Sequence, residues 1–254
     1  MERLIAATAR AEREHFWFRG LRRFVAPLLA RAATGTQVKI LDCGCGTGAN
    51  LTMLAHCGRS SGVDREWTGV QRANEAGRPV SQADVARLPF GDSQFDLTTS
   101  FDVLYCLEPQ DERAAVAEMF RVLRPGGHAI INVAAMPVLR GNHSVLAHEL
   151  RRYTAPTLRT LVETAGFVVD RVTYTNATML PVLLPLRIVH RWCGLAAEAD
   201  AEREIQIPIH PVNWLLDRLL ALESQLLRVV DLPCGSSLLL LARKPVTARR
   251  VVAS

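Results

Sequence analysis

In the stretch VKILDCGCGTGANL, residues 38–51, Asp42, Gly44, Gly46 and Gly48 stand at every second position. A backbone without side chains can approach a ligand closely and adopt dihedrals that a Cβ would forbid. Cys43 and Cys45 alternate with those glycines, so their main chain matters more there than their sulfur. Asp64 lies 20 residues beyond Gly44, with Arg65 beside it. That is the separation at which an acidic residue ending a second strand accepts both hydroxyls of a ribose, although an ordinary turn aspartate has the same residue type. Asp84-Val85 supplies a further carboxylate and a backbone amide. Further along, Asp102, His143 and His148 are groups that could take a proton. Arg152 and Tyr153 either hold a substrate or anchor their own segment.

These residues need elements to place them. A short apolar run at residues 38–41 reads as a buried strand, followed by the glycine turn and a helix over 50–55. A second strand ends at Asp64, a helix covers 68–76, and residues 80–85 are extended. Residues 95–100 form the fourth strand, which puts Ser100, Phe101 and Asp102 at its carboxyl end, where open parallel sheets bind ligands. Tyr105 belongs to the same region and lines the pocket from either the cofactor or the substrate side. Asp102 is then either a base or a helix N-cap. An amphipathic helix over 111–123 is stopped by Arg124-Pro125-Gly126-Gly127, and a fifth strand covers 129–133. Residues 157–165 are helical, and strands follow at 167–172 and 237–242.

The pattern D-x-G-x-G-x-G at residues 42–48 resembles the first motif of the class I S-adenosylmethionine-dependent methyltransferases, of the type 11/12-like kind. A dinucleotide G-x-G-x-x-G fits less well, because the third glycine comes one residue early. Ala83-Asp84-Val85 resembles that family's adenine clamp, and Leu88-Pro89-Phe90, Phe95-Asp96-Leu97 and LRPGG before the fifth strand match its usual order. The resemblance implies a Rossmann-like α/β fold. Its seven-stranded, mostly parallel sheet ends in an antiparallel last strand, and helices cover both faces. It also implies S-adenosylmethionine as cofactor and S-adenosylhomocysteine as product. Asp42, Cys43, Gly44, Cys45, Gly46, Asp64, Arg65, Asp84, Val85, Ser100, Phe101 and Tyr105 would surround that cofactor. In such enzymes an N-terminal segment often closes over the cofactor, and Trp17 and Arg19 would do so here, Arg19 pairing with the methionine carboxylate. Alternatively Phe16, Trp17 and Phe18 only pin an N-terminal helix, read over residues 2–33, to the core.

With 254 residues, 49% of them hydrophobic and 22% charged, the chain has material for one α/β domain with an appendage. We divide it into an N-terminal helical cap (1–36), a core (37–174 and 236–246) and a helical insertion or lid (175–235). The insertion is about sixty residues, far beyond an ordinary connection. It holds a leucine-rich helix over 213–230 that packs on the core, lids an apolar acceptor, or meets a second copy or a membrane surface. The N-terminus lacks a signal peptide, no apolar run reaches membrane-spanning length, and the six cysteines have no metal spacing. A cytoplasmic monomer or homodimer with reduced thiols is expected. The net charge of +5 is scattered apart from a basic tail, there is no N/D-P-P-Y motif, and nucleic acid is not an expected partner. Asp102 and Glu108 do not make an acidic metal cluster. The expected activity is methylation of a small, apolar molecule, at oxygen by preference. Methylation at carbon or nitrogen, a non-catalytic cofactor-binding regulator and a dehydrogenase are the alternatives.

Overall fold

A computed structural model describes residues 11–140, 144, 148–185 and 207–246. Seven strands form one sheet in the order β3-β2-β1-β4-β5-β7-β6: β1 (Lys39–Cys43), β2 (Arg59–Asp64), β3 (Val80–Gln82), β4 (Phe95–Phe101), β5 (Leu123–Ala134), β6 (Val168–Thr175) and β7 (Ser237–Arg243). The pairs β1–β2, β1–β4, β2–β3 and β4–β5 are parallel, whereas β7 runs antiparallel to both β5 and β6. The expected antiparallel last strand is therefore present.

Helices cover both faces. Among the described residues they include α1 (Phe16–Ala32), α2 (Leu51–Leu54), α3 (Trp67–Glu75), α4 (Pro109–Val122), α5 (Ala155–Thr164) and α6 (His210–Leu226). Residues 129–134 of β5 and 238–242 of β7 are apolar at nearly every position because both of their faces are covered, whereas β4 also buries Thr98, Thr99 and Ser100. Neighbouring residues alternate between the two sides. Leu41, Ala129, Ile131, Leu238 and Leu240 pack with Val116, Met119 and Leu158 on the α4–α5 side. Ile40, Leu97, Ile130, Leu239 and Leu241 pack with Phe24, Val25, Leu28 and Leu220 on the α1–α6 side.

Three element boundaries differ from expectation. The extended stretch at 80–85 stops at Gln82, and the Asp84 carboxylate accepts the Ala86 N–H at 2.9 Å, which turns the chain. The Arg-Pro-Gly-Gly sequence does not separate α4 from β5. It bulges out within the strand, so that the β4 partners shift from Phe95–Leu123 to Leu97–His128, and Gly126 and Gly127 exchange backbone bonds with Lys244. The N-terminal helix begins at Phe16, with the His15 ring accepting the Trp17 N–H at 3.1 Å; residues 1–10 lie outside the described ones.

The insertion helix α6 docks on α1. Asn213 accepts the Phe16 N–H and donates to the Glu14 carbonyl, each at 2.9 Å, which seals the start of α1. Asp217 receives both arms of Arg23, at 2.5 and 3.0 Å, and Arg19 at 3.1 Å. Gly20 leaves room for Leu220, whose Cδ1 would stand 2.5 Å from an added Cβ. At its other end Glu223 accepts from the Ala177 and Thr178 amides and the Thr178 hydroxyl. On this face the described part of the insertion is packed core.

Candidate functional site

The glycine turn leaves β1 at the carboxyl edge of the sheet. The Gly44 and Cys45 amides both donate to the Val63 carbonyl, at 2.8 and 3.0 Å, which fixes the turn to the end of β2. Gly44, Gly46 and Gly48 all have positive φ, of 80°, 55° and 73°. Their surroundings differ. A Cβ on Gly44 would meet Val103 Cγ2 at 2.3 Å, whereas a Cβ on Gly46 would meet no atom within 4 Å. Gly44 is thus bare so that the chain after β4 can close on it, and Gly46 is bare beneath open space. That space is what a cradle for a ligand requires.

Asp64 ends β2 and ties this turn. Its Oδ2 accepts the Gly46 N–H at 2.7 Å and its Oδ1 accepts the Glu66 N–H at 2.8 Å. Burial pushes this carboxyl up, and the two amides oppose the rise. Each oxygen keeps a second lone pair, so the carboxylate can still accept ribose hydroxyls. Arg65 is exposed, and its carbonyl accepts from the Gln82 side chain. Asp84 is exposed as well; Oδ1 holds the Ala86 amide, and Oδ2 has no hydrogen bond among the described residues. The Val85 amide has no acceptor among them either. A free carboxylate oxygen and a free N–H on adjacent residues match what an adenine amine and ring nitrogen require.

Asp42 is fully enclosed under the turn. Oδ1 accepts the Thr99 hydroxyl at 2.6 Å, Oδ2 has no partner among the described residues, and burial with the nearby Asp64 charge raises the carboxyl to about 7. Burial likewise pushes the Cys43 and Cys45 thiols up, which leaves both unreactive. Ser100 is buried below the edge. Phe101 and Tyr105 are buried in the two core clusters, on opposite sides of the sheet.

The N-terminal segment does reach the turn, through a residue that sequence reasoning passed over. Glu12 Oε1 accepts the Thr47 hydroxyl at 2.6 Å, and Arg78 holds the Thr47 carbonyl at 2.6 Å. Arg19 pairs with Asp217 and stays partly exposed, and Trp17 is half-buried with its ring edge-on to Phe16.

The candidates for acceptor chemistry separate. His143 lies outside the described residues, and His148 is exposed with a φ of 49°. Arg152 grips Glu149 through two bonds of 2.7 and 3.0 Å and holds the Ala135 carbonyl at 3.1 Å, so it anchors its segment. Tyr153 donates to Glu112 of α4, which also pairs with Arg151 at 3.1 Å. Asp102 does not cap a helix: Glu108 precedes α4, and the Asp102 carboxylate accepts from Asn132 Nδ2 at 2.9 Å. Glu149 and Glu112 carry no local signal, Asn132 stands out only as a polar residue between Ile131 and Val133, and the fold alone brings them to these partners. A cavity of about 970 Å³ opens at the opposite, amino-terminal edge of the sheet, lined by Lys39, Arg59, Arg78 and Arg124 among others, and none of the cradle residues lines it. Among the described residues no group of three or more His, Cys, Asp or Glu is placed to hold a metal ion, and no helix is long and apolar enough to cross a membrane.

The comparisons agree with this geometry. Residues 41–131 match the methyltransferase domain family. A Mycolicibacterium smegmatis protein provisionally named an S-adenosylmethionine-dependent methyltransferase is 32% identical, over 62% of this chain and 61% of its own length. A Bacillus subtilis protein provisionally named a 23S rRNA guanine-N1 methyltransferase is 33% identical, over 71% of this chain and 61% of its own. A Penicillium expansum O-methyltransferase is 32% identical over 56% of each chain. The chain thus spans about three-fifths of the length of the first two relatives. In fold it is similar to a methyltransferase from Archaeoglobus fulgidus, with a TM-score of 0.55, 17% identity and coverage of 89% of this chain and 94% of that one. Sheet order, glycine turn and matched family lead to one conclusion: residues 41–131 carry a methyltransferase domain of the class I S-adenosylmethionine-dependent kind.

Proposed function

We propose that this chain transfers the methyl group of S-adenosylmethionine to a small, apolar molecule, with oxygen as the favoured atom. The observation that carries the reading is the open space over Gly46, bordered by Asp64 and flanked by the free acceptor and donor of Asp84-Val85. Asp64 would hold the ribose, Asp84 and Val85 the adenine, and the Asp42-to-Gly46 turn the amino-acid part. Arg65, Ser100, Phe101, Tyr105, Trp17 and Arg19 would complete the surroundings. When bound, the cofactor supplies an electrophilic methyl group on a sulfonium, and the protein's share is position and charge. The relative named as an O-methyltransferase supports oxygen. The relative named for rRNA shows that acceptors differ within this range of identity. No disulfide joins the described cysteines to one another, in keeping with a cytoplasmic setting.

The test is titration with S-adenosylhomocysteine by calorimetry, followed by tritiated S-adenosylmethionine with a panel of phenols, alcohols, amines and activated carbon acids. Binding with label transferred to a hydroxyl supports the reading. Binding with label on nitrogen or carbon corrects the atom. Binding with no labelled product from any class points to a regulator, and absence of binding removes the reading altogether.

A further inference from the structure

We propose that Asp102 is the base that takes the acceptor's hydroxyl proton as the methyl group is transferred, an inference that rests on the oxygen-methylating reading above. Asp102 follows the last residue of β4, next to β1 in the sheet, while Asp64 ends β2 on the other side of β1. A nucleoside held by Asp64 and Asp84 therefore lies over β2 and β3, and the reactive end of the same ligand must extend over the glycine turn toward β4. The β4 exit touches that turn directly, through Val103 against Gly44. Asp102 is a carboxylate placed at that end; Asp42 lies enclosed beneath the turn, and Glu149 is held by Arg152.

Its conformation is unusual and held from two sides. Asp102 has a φ of 62°, in the left-handed region that few non-glycine residues occupy. One residue of β5 fixes both its main chain and its side chain: the Asn132 carbonyl accepts the Asp102 N–H, and Asn132 Nδ2 donates to Oδ1, each at 2.9 Å. Asn132 is itself buried. The other oxygen, Oδ2, makes no hydrogen bond among the described residues, and the residue keeps partial exposure. One lone-pair set is thus used for orientation and the other is left open, as a base requires.

The polar, charged and titratable groups around it come from three places. Asn132 faces it from β5, Tyr105 and Cys106 from the turn after β4, and Arg152 and Glu149 from the segment before α5. Arg152 favours the carboxylate and Glu149 disfavours it, but the two are bonded to each other and neither bonds Asp102. Burial dominates and raises the carboxyl to about 7, near where a base works best at neutral pH. In the reaction, the acceptor O–H bond breaks and its proton passes to Asp102 Oδ2. The oxygen lone pair forms the new C–O bond, and the C–S bond breaks with its electron pair retained by sulfur. The carboxylic acid then returns its proton to solvent.

The test uses the full chain with bound S-adenosylhomocysteine and carbonyl-¹³C aspartate labelling, comparing wild type with Asp102→Asn. The signal missing from the variant should titrate close to neutral pH. With tritiated S-adenosylmethionine and a panel of phenols and alcohols, turnover should fall about 100-fold or more in Asp102→Asn. Its dependence on pH below 7 should flatten, Asp102→Glu should recover part of the rate, and S-adenosylhomocysteine affinity should stay within about twofold by the same reasoning. A carboxyl titrating below pH 5, or an Asn variant with wild-type turnover and pH profile, overturns the proposal. Failure of wild type to bind S-adenosylhomocysteine would instead remove the cofactor reading on which it rests.

Discussion

Two glycines two residues apart are bare for opposite reasons, and substitution separates them. Gly44→Ala drives a methyl group into Val103 at a backbone angle that already disfavours a side chain, so it should cost about 2–4 kcal/mol of stability and lower the midpoint of urea unfolding. At Gly46 an added Cβ meets no protein atom within 4 Å, so Gly46→Val should bear chiefly the cost of positive φ, about 1–2 kcal/mol. It should nevertheless abolish S-adenosylhomocysteine binding in calorimetry; retained affinity would mean that the space over Gly46 is not the cradle. Asp42 carries a prediction about pH. Its folded carboxyl is raised to about 7, against about 3.9 in an unfolded chain. The native state therefore holds this proton more tightly, and as pH rises from about 4 through 7 the native state loses stability to an unfolded chain that ionises freely. Asp42→Asn removes the group that titrates, while its unpartnered amide costs the same at every pH. Relative to wild type, the variant should gain on the order of a few kcal/mol between pH 5 and pH 8 in the ligand-free protein. Parallel pH curves for the two proteins would show that Asp42 is not held as described.

The element carrying most of the uncharted sequence is α6, and its leucines did not disclose where it would go. Periodicity gave an apolar stripe, but the docking to α1 depends on Asn213, Asp217 and Glu223, polar residues whose partners lie up to 199 positions away. Such contacts leave no local signature. The parallel half of the sheet was legible for the opposite reason: β1 is a short apolar run, β2 ends in Gly62-Val63-Asp64 and β4 is followed by Asp102, and both the strands and their punctuation are local. The β5 bulge is not legible because Pro-Gly-Gly reads as a stop, whereas the Gly126 amide and the Gly127 carbonyl are both satisfied by the Lys244 main chain from the far end of the sequence. The cradle at Gly46, Asp64 and Asp84 was likewise visible from spacing, while the Asp102–Asn132 pair was half visible: the acid could be placed, its partner could not. At this scale the α1–α6 seam is testable. Leu220 is fully buried against Gly20 and the α1 face, so Leu220→Ala should cost about 2–5 kcal/mol by cavity formation. A loss below about 1 kcal/mol in chemical denaturation would show that the seam contributes little and that α6 is an independent flap.

In the whole molecule, ligand binding and stability are coupled, because the cradle exists only when β1, β2 and β4 are in register and the N-terminal segment is in place. Glu12 on Thr47 links that segment to the glycine turn, and Asp64 links the turn to β2. A ligand selective for this arrangement stabilises the fold by about 2.7 kcal/mol at a concentration 100 times its dissociation constant. For a chain of 254 residues that is a rise of roughly 5–10 °C in melting temperature. S-adenosylhomocysteine should produce the rise and NAD should not, since the third glycine of a dinucleotide turn is misplaced here. Asp64→Ala removes two backbone tethers along with the ribose acceptor, so it should lower the ligand-free melting temperature and erase the shift together. Glu12→Ala breaks only the link to the N-terminal segment, and should leave the ligand-free melting temperature nearly unchanged while reducing the shift. A full shift in Glu12→Ala would show that the segment packs beside the cradle without taking part in it. A shift with NAD alone would mean that the nucleotide this sheet edge selects is a different one.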